Sequence, residues 1–278
     1  MEAILTAVIP VVIIGIICGA VLVIASKLMA VKEDERFPAV RECLPGANCG
    51  ACGFAGCDGY AKALCENSDT PANLCVPGAD GVAKQLSEIL GVAFEDVVEQ
   101  VAVVHCAGNC HKTQDKVDYQ GIQSCAAAKL MYGGKGSCTY GCLGLGDCMN
   151  ACPQNAIEIK DGVAHVNTKE CIGCGICTRT CPNHLISLVP DVEKVVVTCS
   201  NCDKGAVTRK VCSNGCIGCK KCERVCPSGA IKVVDNVAVI DYKKCNDCKD
   251  FGVCAKNCTT GCIMISDLRG MHSVKKET

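Results

Sequence analysis

The segment CIGCGICTRTCP at residues 171–182 decides the fold, because it recurs as CIGCKKCERVCP at residues 216–227. Both copies read Cys-x2-Cys-x2-Cys-x3-Cys-Pro, the run with which small bacterial proteins hold two [4Fe-4S] clusters. Three thiolates bind one cluster, and the thiolate before the proline binds the neighbouring cluster. Zinc sites usually take two cysteines from each of two separate loops, so this run favours iron–sulfur chemistry.

Looser cysteine runs precede the first copy and follow the second. They read Cys-x3-Cys-x5-Cys-x3-Cys-Pro from Cys138 and Cys-x2-Cys-x5-Cys-x3-Cys from Cys245. Extra residues in both loops leave the local geometry less defined. If the fourth cysteine of each run binds the neighbouring cluster, as in two-cluster ferredoxins, these runs together hold four clusters. Their predicted ligands are Cys138, Cys142, Cys148 and Cys181; Cys152, Cys171, Cys174 and Cys177; Cys216, Cys219, Cys222 and Cys258; and Cys226, Cys245, Cys248 and Cys254.

An internal repeat connects these cysteines. The interval from the Cys-Pro cysteine to the next cysteine is 19 residues in both copies, from Cys152 to Cys171 and from Cys226 to Cys245. Alternating apolar and polar residues within each interval flank Asp161-Gly162 or Asp235-Asn236, which predicts a β-hairpin. A shared interval indicates one structural unit used twice. The predicted fold class is therefore α+β.

A third kind of cysteine loop lies nearer the N-terminus. The stretch LPGANCGACGFAGC at residues 44–57 places Cys49, Cys52 and Cys57 among glycines, which allow the backbone to approach a cluster closely. A fourth ligand must come from elsewhere, and Cys75, Cys65 and, less favourably, Cys43 are the candidates. Residues 78–90 then predict an amphipathic helix with an apolar face.

The N-terminal segment predicts a membrane anchor. Residues 3–26 contain no charged side chain, and about 20 such residues suffice to cross the hydrocarbon core. Positive charges follow at Lys27, Lys32, Arg36 and Arg41, so we expect the N-terminus outside and the rest of the chain in the cytoplasm. A cleaved signal peptide is disfavoured because no basic region precedes the apolar stretch.

The composition narrows the function further. The 278 residues include 30 cysteines, four Phe and no Trp, so metal ligation must help to order the chain. A net charge of -1 provides no field for binding nucleic acid. Disulfides are disfavoured, since the predicted topology places the cysteines in a reducing compartment.

The anchor, the loop at residues 44–57 and the ferredoxin-type motifs, in this order, resemble the iron–sulfur B subunit of the Rnf complex, an ion-translocating ferredoxin:NAD+ oxidoreductase. The resemblance spans essentially the whole chain and selects Cys75 as the fourth ligand of the first cluster. It implies an electron-transfer subunit of a translocase, with soluble ferredoxin as donor and with membrane and flavin- or NAD-binding subunits as partners. It also implies contact with membrane lipid, whereas no catalytic site beyond electron relay is expected.

This chain departs from the shorter members of that family. They contain one ferredoxin module, whereas two are predicted here. We expect five [4Fe-4S] clusters. Cys106, Cys110 and Cys125 are either ligands of a sixth cluster, completed by Cys138 or by a later cysteine, or three reduced, buried thiols. Cys43, Cys65 and Cys262 are interpreted as core residues, and the sequence assigns no role to Cys199, Cys202 and Cys212.

The predicted domain organisation has five parts. Residues 1–27 form the transmembrane anchor, 28–100 a small helical [4Fe-4S] domain, 101–135 a cysteine-containing linker, 136–195 ferredoxin module 1 and 196–278 ferredoxin module 2. Three alternative functions remain open from the residues. They are the iron–sulfur subunit of a membrane hydrogenase or formate dehydrogenase, a membrane-anchored zinc-binding protein, and a radical or dehydratase-type enzyme with an open cluster iron.

Overall fold

The N-terminal helix α1 (Glu2–Leu28) opens the computed structural model, which describes residues 2–28, 34–67, 69–245, 248, 250 and 252–268. Side chains of α1 are described at residues 12–26, so part of the predicted anchor at residues 1–27 lies outside them. Among the residues described, no helix combines the length and the hydropathy that a bilayer crossing requires.

A small helical domain follows α1. It contains α2 (Phe37–Cys43), α3 (Cys57–Glu66), a 3-10 turn (Val76–Gly78) and α4 (Ala79–Leu90). The helix predicted at residues 78–90 is confirmed, and it ends where Gly91 adopts the left-handed conformation common at helix C-termini. Its apolar face contributes Leu86 to a core that also contains Val40 and Tyr60.

The first of two similar units contains two antiparallel strand pairs. Strand β1 (Gln100–Val104) pairs with β4 (Ile186–Pro190), and β2 (Ile157–Lys160) pairs with β3 (Val163–Val166). The β2–β3 hairpin is confirmed, with positive φ at both Asp161 and Gly162, as a tight type I′ turn requires. Three short helices complete the first unit: α5 (Cys125–Leu130), α6 (Asp147–Asn150) and α7 (Ile176–Thr180).

The second unit repeats this arrangement. Strand β5 (Val195–Val197) pairs with β8 (Ile263–Ile265), and β6 (Ile231–Val234) pairs with β7 (Val237–Ile240) around Asp235-Asn236, again with positive φ at both turn residues. Its helices are α8 (Gly205–Val211), α9 (Lys221–Val225), α10 (Tyr242–Cys245) and α11 (Val253–Lys256). The predicted hairpin at residues 230–241 is therefore confirmed.

The segment that follows β1 connects the two units. The Ala107 N–H donates to the Thr198 carbonyl at 3.0 Å, and the Ser213 N–H donates to the Lys112 carbonyl at 2.9 Å. The predicted linker thus lies between the units and contacts both. Strand β1, which overlaps the start of the predicted linker, belongs to the sheet of the first unit.

Candidate iron–sulfur centres

Free cysteine thiols, with no disulfide among them, supply the candidate metal ligands of this chain. The structure gathers twenty of these thiols into five sets of four, here called sites 1 to 5. The sets are Cys49, Cys52, Cys57 and Cys75 (site 1); Cys152, Cys171, Cys174 and Cys177 (site 2); Cys125, Cys142, Cys148 and Cys181 (site 3); Cys216, Cys219, Cys222 and Cys258 (site 4); and Cys226, Cys245, Cys248 and Cys254 (site 5).

Site 1 lies in the helical domain, and Cys75 closes it. Burial, followed by the other three sulfurs of the site, raises the pKa of Cys75 to about 11. The Asn48 side chain accepts a hydrogen bond from the Cys57 N–H at 2.9 Å and so fixes the loop to the start of α3. Cys43 and Cys65 pack against the helical core instead, and Cys65 lies beside Asp34. The structure thus groups the loop with Cys75, the ligand that the family resemblance selects.

Site 2 is a small cavity lined by its four cysteines and by apolar side chains of the first unit. Two backbone N–H groups point at its sulfurs. The Ala102 N–H donates to Cys171 Sγ at 3.4 Å, and the Ala156 N–H donates to Cys152 Sγ at 3.3 Å. Such hydrogen bonds stabilise the charge on the sulfur of a bound cluster and tune its potential. The placement agrees with the grouping expected from the ligand exchange.

Site 3 differs from the grouping expected from the sequence. Cys125, and not Cys138, lines one cavity with Cys142, Cys148 and Cys181. The cause is Asp147, whose carboxylate accepts hydrogen bonds from the backbone N–H of Cys125 at 2.9 Å and of Ala126 at 3.0 Å, and from the Ser124 hydroxyl at 2.9 Å.

These bonds tie the start of α5 to the start of α6, which carries Cys148. Cys138 faces the second unit, where the Asn201 side-chain amide donates to its Sγ at 3.3 Å. Sequence spacing does not predict that Cys125 takes the place of Cys138, because the position of Cys125 depends on its contact with Asp147, 22 residues along the chain.

Site 4 belongs to the second unit and has a fifth cysteine beside it. Cys262 is buried in the core, as predicted, with its Sγ 3.6 Å from that of Cys258. A hydrogen bond from the Cys262 thiol lowers the pKa of Cys258 to about 4. Because the thiolate is the form that binds metal, Cys262 supports a ligand and does not replace one.

Site 5 also belongs to the second unit. Burial, the Glu193 carboxylate and the other three sulfurs of the site, Cys254, Cys248 and Cys226, raise the pKa of Cys245 to about 11. Residues 246, 247, 249 and 251, which lie between its ligands, are outside the described residues. The four sulfurs nevertheless match the predicted set.

The spacing of the sulfurs fits a four-iron cluster better than a single ion. A tetrahedral zinc ion with Zn–S bonds of about 2.3 Å holds its sulfurs roughly 3.8 Å apart. Within the part of the chain that the structure describes, Cys110, His111 and Asp161 form the only set of three or more ligand atoms within 4.8 Å of one another, and all three residues are exposed. Among the described residues, no three sulfurs of any one of sites 1 to 5 lie that close together, as the ligands of a single zinc ion would.

The sites follow one another through direct neighbours. Cys49 of site 1 is close enough to Cys174 of site 2 to influence its pKa, and Cys148 of site 3 has the same effect on Cys177 of site 2. The Arg179 guanidinium of α7 donates a hydrogen bond to the Cys49 carbonyl, which fastens the helical domain to the first unit. Cysteines of sites 4 and 5 share one core cluster in the second unit.

The three cysteines predicted to contribute a sixth cluster do not all lie together. Cys125 belongs to site 3. Cys106 and Cys110 both line a larger cavity between the two units, together with Cys138, Cys199 and Cys212, and Cys110 is exposed there beside His111 and Asp161. Cys202 lies outside that cavity, and its thiol donates to the Ser200 carbonyl at 3.7 Å.

Comparison with protein families supports these centres. A family described as a putative Fe-S cluster domain matches residues 44–77, which contain all ligands of site 1. Two families described as 4Fe-4S dicluster domains match residues 135–182 and 170–230. These matches show iron–sulfur domains of the ferredoxin type along the chain.

Curated relatives cover most of the chain. The B subunit of the proton-translocating ferredoxin:NAD(+) oxidoreductase complex of Clostridium ljungdahlii is 43% identical over 252 residues, which cover 90% of this chain and 88% of the relative. The B subunit of the Na(+)-translocating complex of Acetobacterium woodii is 40% identical over 90% of this chain and 74% of its own length. The B subunit of an ion-translocating oxidoreductase complex of Methanosarcina acetivorans is 41% identical over 88% of this chain and 92% of the relative. The chain therefore belongs to the B-subunit family of ion-translocating ferredoxin:NAD+ oxidoreductase (Rnf) complexes.

Proposed function

We propose that this iron–sulfur subunit takes electrons from reduced ferredoxin and passes them along sites 1 to 5 towards flavin- and NAD-binding subunits of its complex. The observation that carries the proposal is the contiguous series of four-thiol sites from the helical domain through the first unit and again within the second. A [4Fe-4S] cluster accepts and returns one electron at a potential set by hydrogen bonds, charge and exposure. Each site would hold one such cluster.

The chain's own residues would bind, shield and tune these clusters. Apolar side chains such as Leu185 and Ile186 surround site 3 and exclude water, which keeps the site in a medium of low dielectric. Backbone N–H groups donate to ligand sulfurs, as Leu185 does to Cys181 Sγ at 3.5 Å. Side chains such as Asp147 hold the ligand loops in place.

The two units would be tandem ferredoxin modules. Each has a hairpin, a second strand pair and a Cys-x2-Cys-x2-Cys-x3-Cys-Pro run that divides its thiols between two sites. Gly173 and Gly218 occupy the same position in the two runs, and both have positive φ. A second module lengthens the electron path relative to shorter members of the family.

The proposal includes a single membrane anchor at residues 1–27, with the remaining chain on the cytoplasmic side. Residues 3–26 are uncharged, and the positive charges follow them. Large apolar side chains between Val12 and Ile24 are exposed, including Leu22 at 69% and Ile16 at 67%. Lipid is the medium that would cover such a surface. The uncharged anchor provides no ion path, so other subunits would move the ion.

The test is reduction of the anaerobically purified full chain, in detergent, by excess reduced ferredoxin. The visible absorbance should bleach, and about five or more one-electron equivalents should be taken up per chain, one for each cluster. The reduced protein should give an EPR spectrum of magnetically coupled [4Fe-4S] clusters. A colourless chain that contains zinc and takes up no electrons would overturn the proposal in favour of a metal-binding protein.

A variant pair refines the test. Cys75→Ala removes a ligand of site 1, whereas Cys65→Ala changes a nearby cysteine that only packs against the helical core. We expect loss of about four irons in the first variant and no loss in the second. Equal iron content in the two variants would contradict the ligand set of site 1.

A further inference from the structure

A cavity between the two units is lined by five cysteines that none of the five sites uses; one of them, Cys110, is exposed, and the other four are wholly or partly buried. It has a volume of about 270 Å³, far above the roughly 10–15 Å³ that one water molecule requires. Its wall includes Cys106, Cys138, Cys199 and Cys212. Here it is called the junction cavity.

Two of these cysteines occupy equivalent positions in the repeated fold. Cys106 follows the end of β1 by two residues, and Cys199 follows the end of β5 by two residues. The strand ends are joined, because the His105 ring shares a 2.6 Å hydrogen bond with the Val197 carbonyl. The repeat therefore directs one cysteine from each unit into the same cavity.

The other two thiols approach the same space. A Cβ atom built on Gly108 would lie 3.3 Å from Cys212 Sγ and 3.7 Å from Cys106 Sγ, so both sulfurs flank this glycine. Cys138 is near enough to Cys106, Cys199 and Cys212 to interact with each electrostatically.

The buried Asn201 side chain, which is 2% exposed, donates to Cys138 Sγ at 3.3 Å. Its Oδ1 accepts hydrogen bonds from the Asp203 N–H at 2.7 Å and from the Thr208 hydroxyl at 3.3 Å, which fixes the direction of the amide. A buried amide that is held in place by its own hydrogen bonds and aimed at a sulfur indicates a built site.

The sulfur spacing selects the kind of metal centre. No three of the four sulfurs lie within 4.8 Å of one another, since the only such set among the described residues is the exposed Cys110 group. Four thiols around one zinc ion would be about 3.8 Å apart. The junction cavity thus does not hold its sulfurs at the spacing of a zinc site, and it has the room that a four-iron cluster needs.

Hydrogen bonds connect the junction cavity to a site on each side. The Cys142 N–H of site 3 donates to Cys106 Sγ at 3.4 Å, and the Cys216 N–H of site 4 donates to Cys199 Sγ at 3.2 Å. We infer that Cys106, Cys138, Cys199 and Cys212 bind a sixth [4Fe-4S] cluster, which joins the electron path of the first unit to that of the second.

The inference rests on the proposed relay through sites 1 to 5. Binding requires the four thiols to lose their protons. Held by these four thiols, a cluster would take up one electron from site 3 and release one electron to site 4, with no bond made or broken. The junction position is therefore the bridge between sites 1 to 3 and sites 4 and 5, which are otherwise separate.

The test compares four variants of the full chain, purified anaerobically after growth on ⁵⁷Fe. Cys199→Ser and Cys212→Ala change junction ligands, and Cys138→Ser provides a third change if either variant fails to fold. Cys202→Ser is the matched control, because Cys202 lies in the same segment as Cys199 but outside the cavity. Iron, acid-labile sulfide and zinc are measured together with Mössbauer spectra of the oxidised and reduced protein.

We expect each junction variant to lose about four irons and four sulfides, or in a serine variant to show one altered four-iron component, while the control matches the wild type. Unchanged iron and unchanged spectra in all three junction variants would overturn the inference and leave sites 1 to 5 in place. One zinc per wild-type chain, lost in the junction variants, would also overturn it. A wild-type chain without any iron would instead overturn the proposed function itself.

Discussion

Replacement of Asp147 by alanine tests the exchange of Cys125 for Cys138 in site 3 without touching a thiol. Asp147 accepts three hydrogen bonds of 2.9–3.0 Å from Ser124, Cys125 and Ala126, and these hold the first turn of α5 against α6. A hydrogen bond to a charged acceptor contributes about 1.5–3 kcal/mol when shielded, and solvent access reduces it to about 1 kcal/mol here.

Loss of all three bonds should therefore lower the free energy needed to open α5 locally by about 3 kcal/mol. Since about 1.4 kcal/mol corresponds to a factor of ten, the opened state of α5 should become roughly 100-fold more populated. Asp147→Asn keeps an acceptor for the Cys125 N–H but not for the other two donors, so about 2 kcal/mol is lost and an increase of about 30-fold is expected.

The assay is the rate at which a chelator removes iron from the oxidised chain, followed with Mössbauer spectra to identify the site. If removal proceeds through local opening, one cluster should be lost about 100-fold faster in Asp147→Ala while the others leave at the wild-type rate. Glu158→Ala is the control, because Glu158 forms only an exposed ion pair with Lys160. A wild-type rate in Asp147→Ala, together with loss of site 3 in Cys138→Ser but not in Cys125→Ser, would refute the reasoning.

Three further predictions concern backbone space, a buried hydroxyl and a bond to sulfur. Gly173→Ala should destabilise the chain by about 2–5 kcal/mol, from about 1–2 kcal/mol of left-handed strain and about 1–3 kcal/mol of overpacking. The added Cβ would clash with the backbone oxygen of Gln100. Gly229→Ala is the control, because its Cβ would meet nothing within 4 Å and the variant should show the left-handed strain alone. The measurement for both variants is the rate of cluster loss in denaturant. Tyr60→Phe should cost about 1–3 kcal/mol, because the buried hydroxyl bonds two backbone groups, and equal denaturation midpoints for mutant and wild type would contradict this. Asn201→Ala should shift one potential in an EPR titration to a more negative value, since the amide bond to Cys138 Sγ stabilises the reduced state, and an unchanged set of potentials would argue against it.

Tyr60 also yields a pH prediction. Burial raises the pKa of its hydroxyl to about 12, so the folded protein favours the neutral phenol more strongly than the unfolded chain does. The corresponding stabilisation is complete below about pH 10, the ordinary tyrosine pKa, and is lost as the pH rises towards 12. The alkaline fall in stability, measured as the rate of cluster loss, should therefore be weaker in Tyr60→Phe. Identical alkaline profiles for mutant and wild type would contradict the assignment.

Local sequence signals predicted both hairpins and the helix α4. The turns at Asp161-Gly162 and Asp235-Asn236 specified their hairpins because both central residues tolerate positive φ. The apolar spacing at residues 78–90 specified α4, which ends at Gly91. In each case a short stretch of sequence determines the conformation without help from distant residues.

The ligand sets were less predictable, because they depend on tertiary contacts. Cys125 reaches site 3 only through Asp147, a contact that sequence spacing does not encode. A usable signal existed for the junction, since Cys106 and Cys199 follow the two repeated strands β1 and β5 at the same interval. The repeated unit therefore begins before the Cys-Pro runs, at strands β1 and β5. The two copies share too few residues there for the sequence alone to reveal the repeat.

The measurement that tests the account most directly is the iron, acid-labile sulfide and zinc content of the anaerobically purified full chain, together with its reduced EPR spectrum. The account predicts about twenty-four irons and about twenty-four sulfides per chain, little zinc, and a coupled low-potential [4Fe-4S] signal. About twenty irons would remove the junction cluster and leave the relay through sites 1 to 5. Zinc in place of iron, with no EPR signal even after anaerobic reconstitution, would contradict the electron-transfer function.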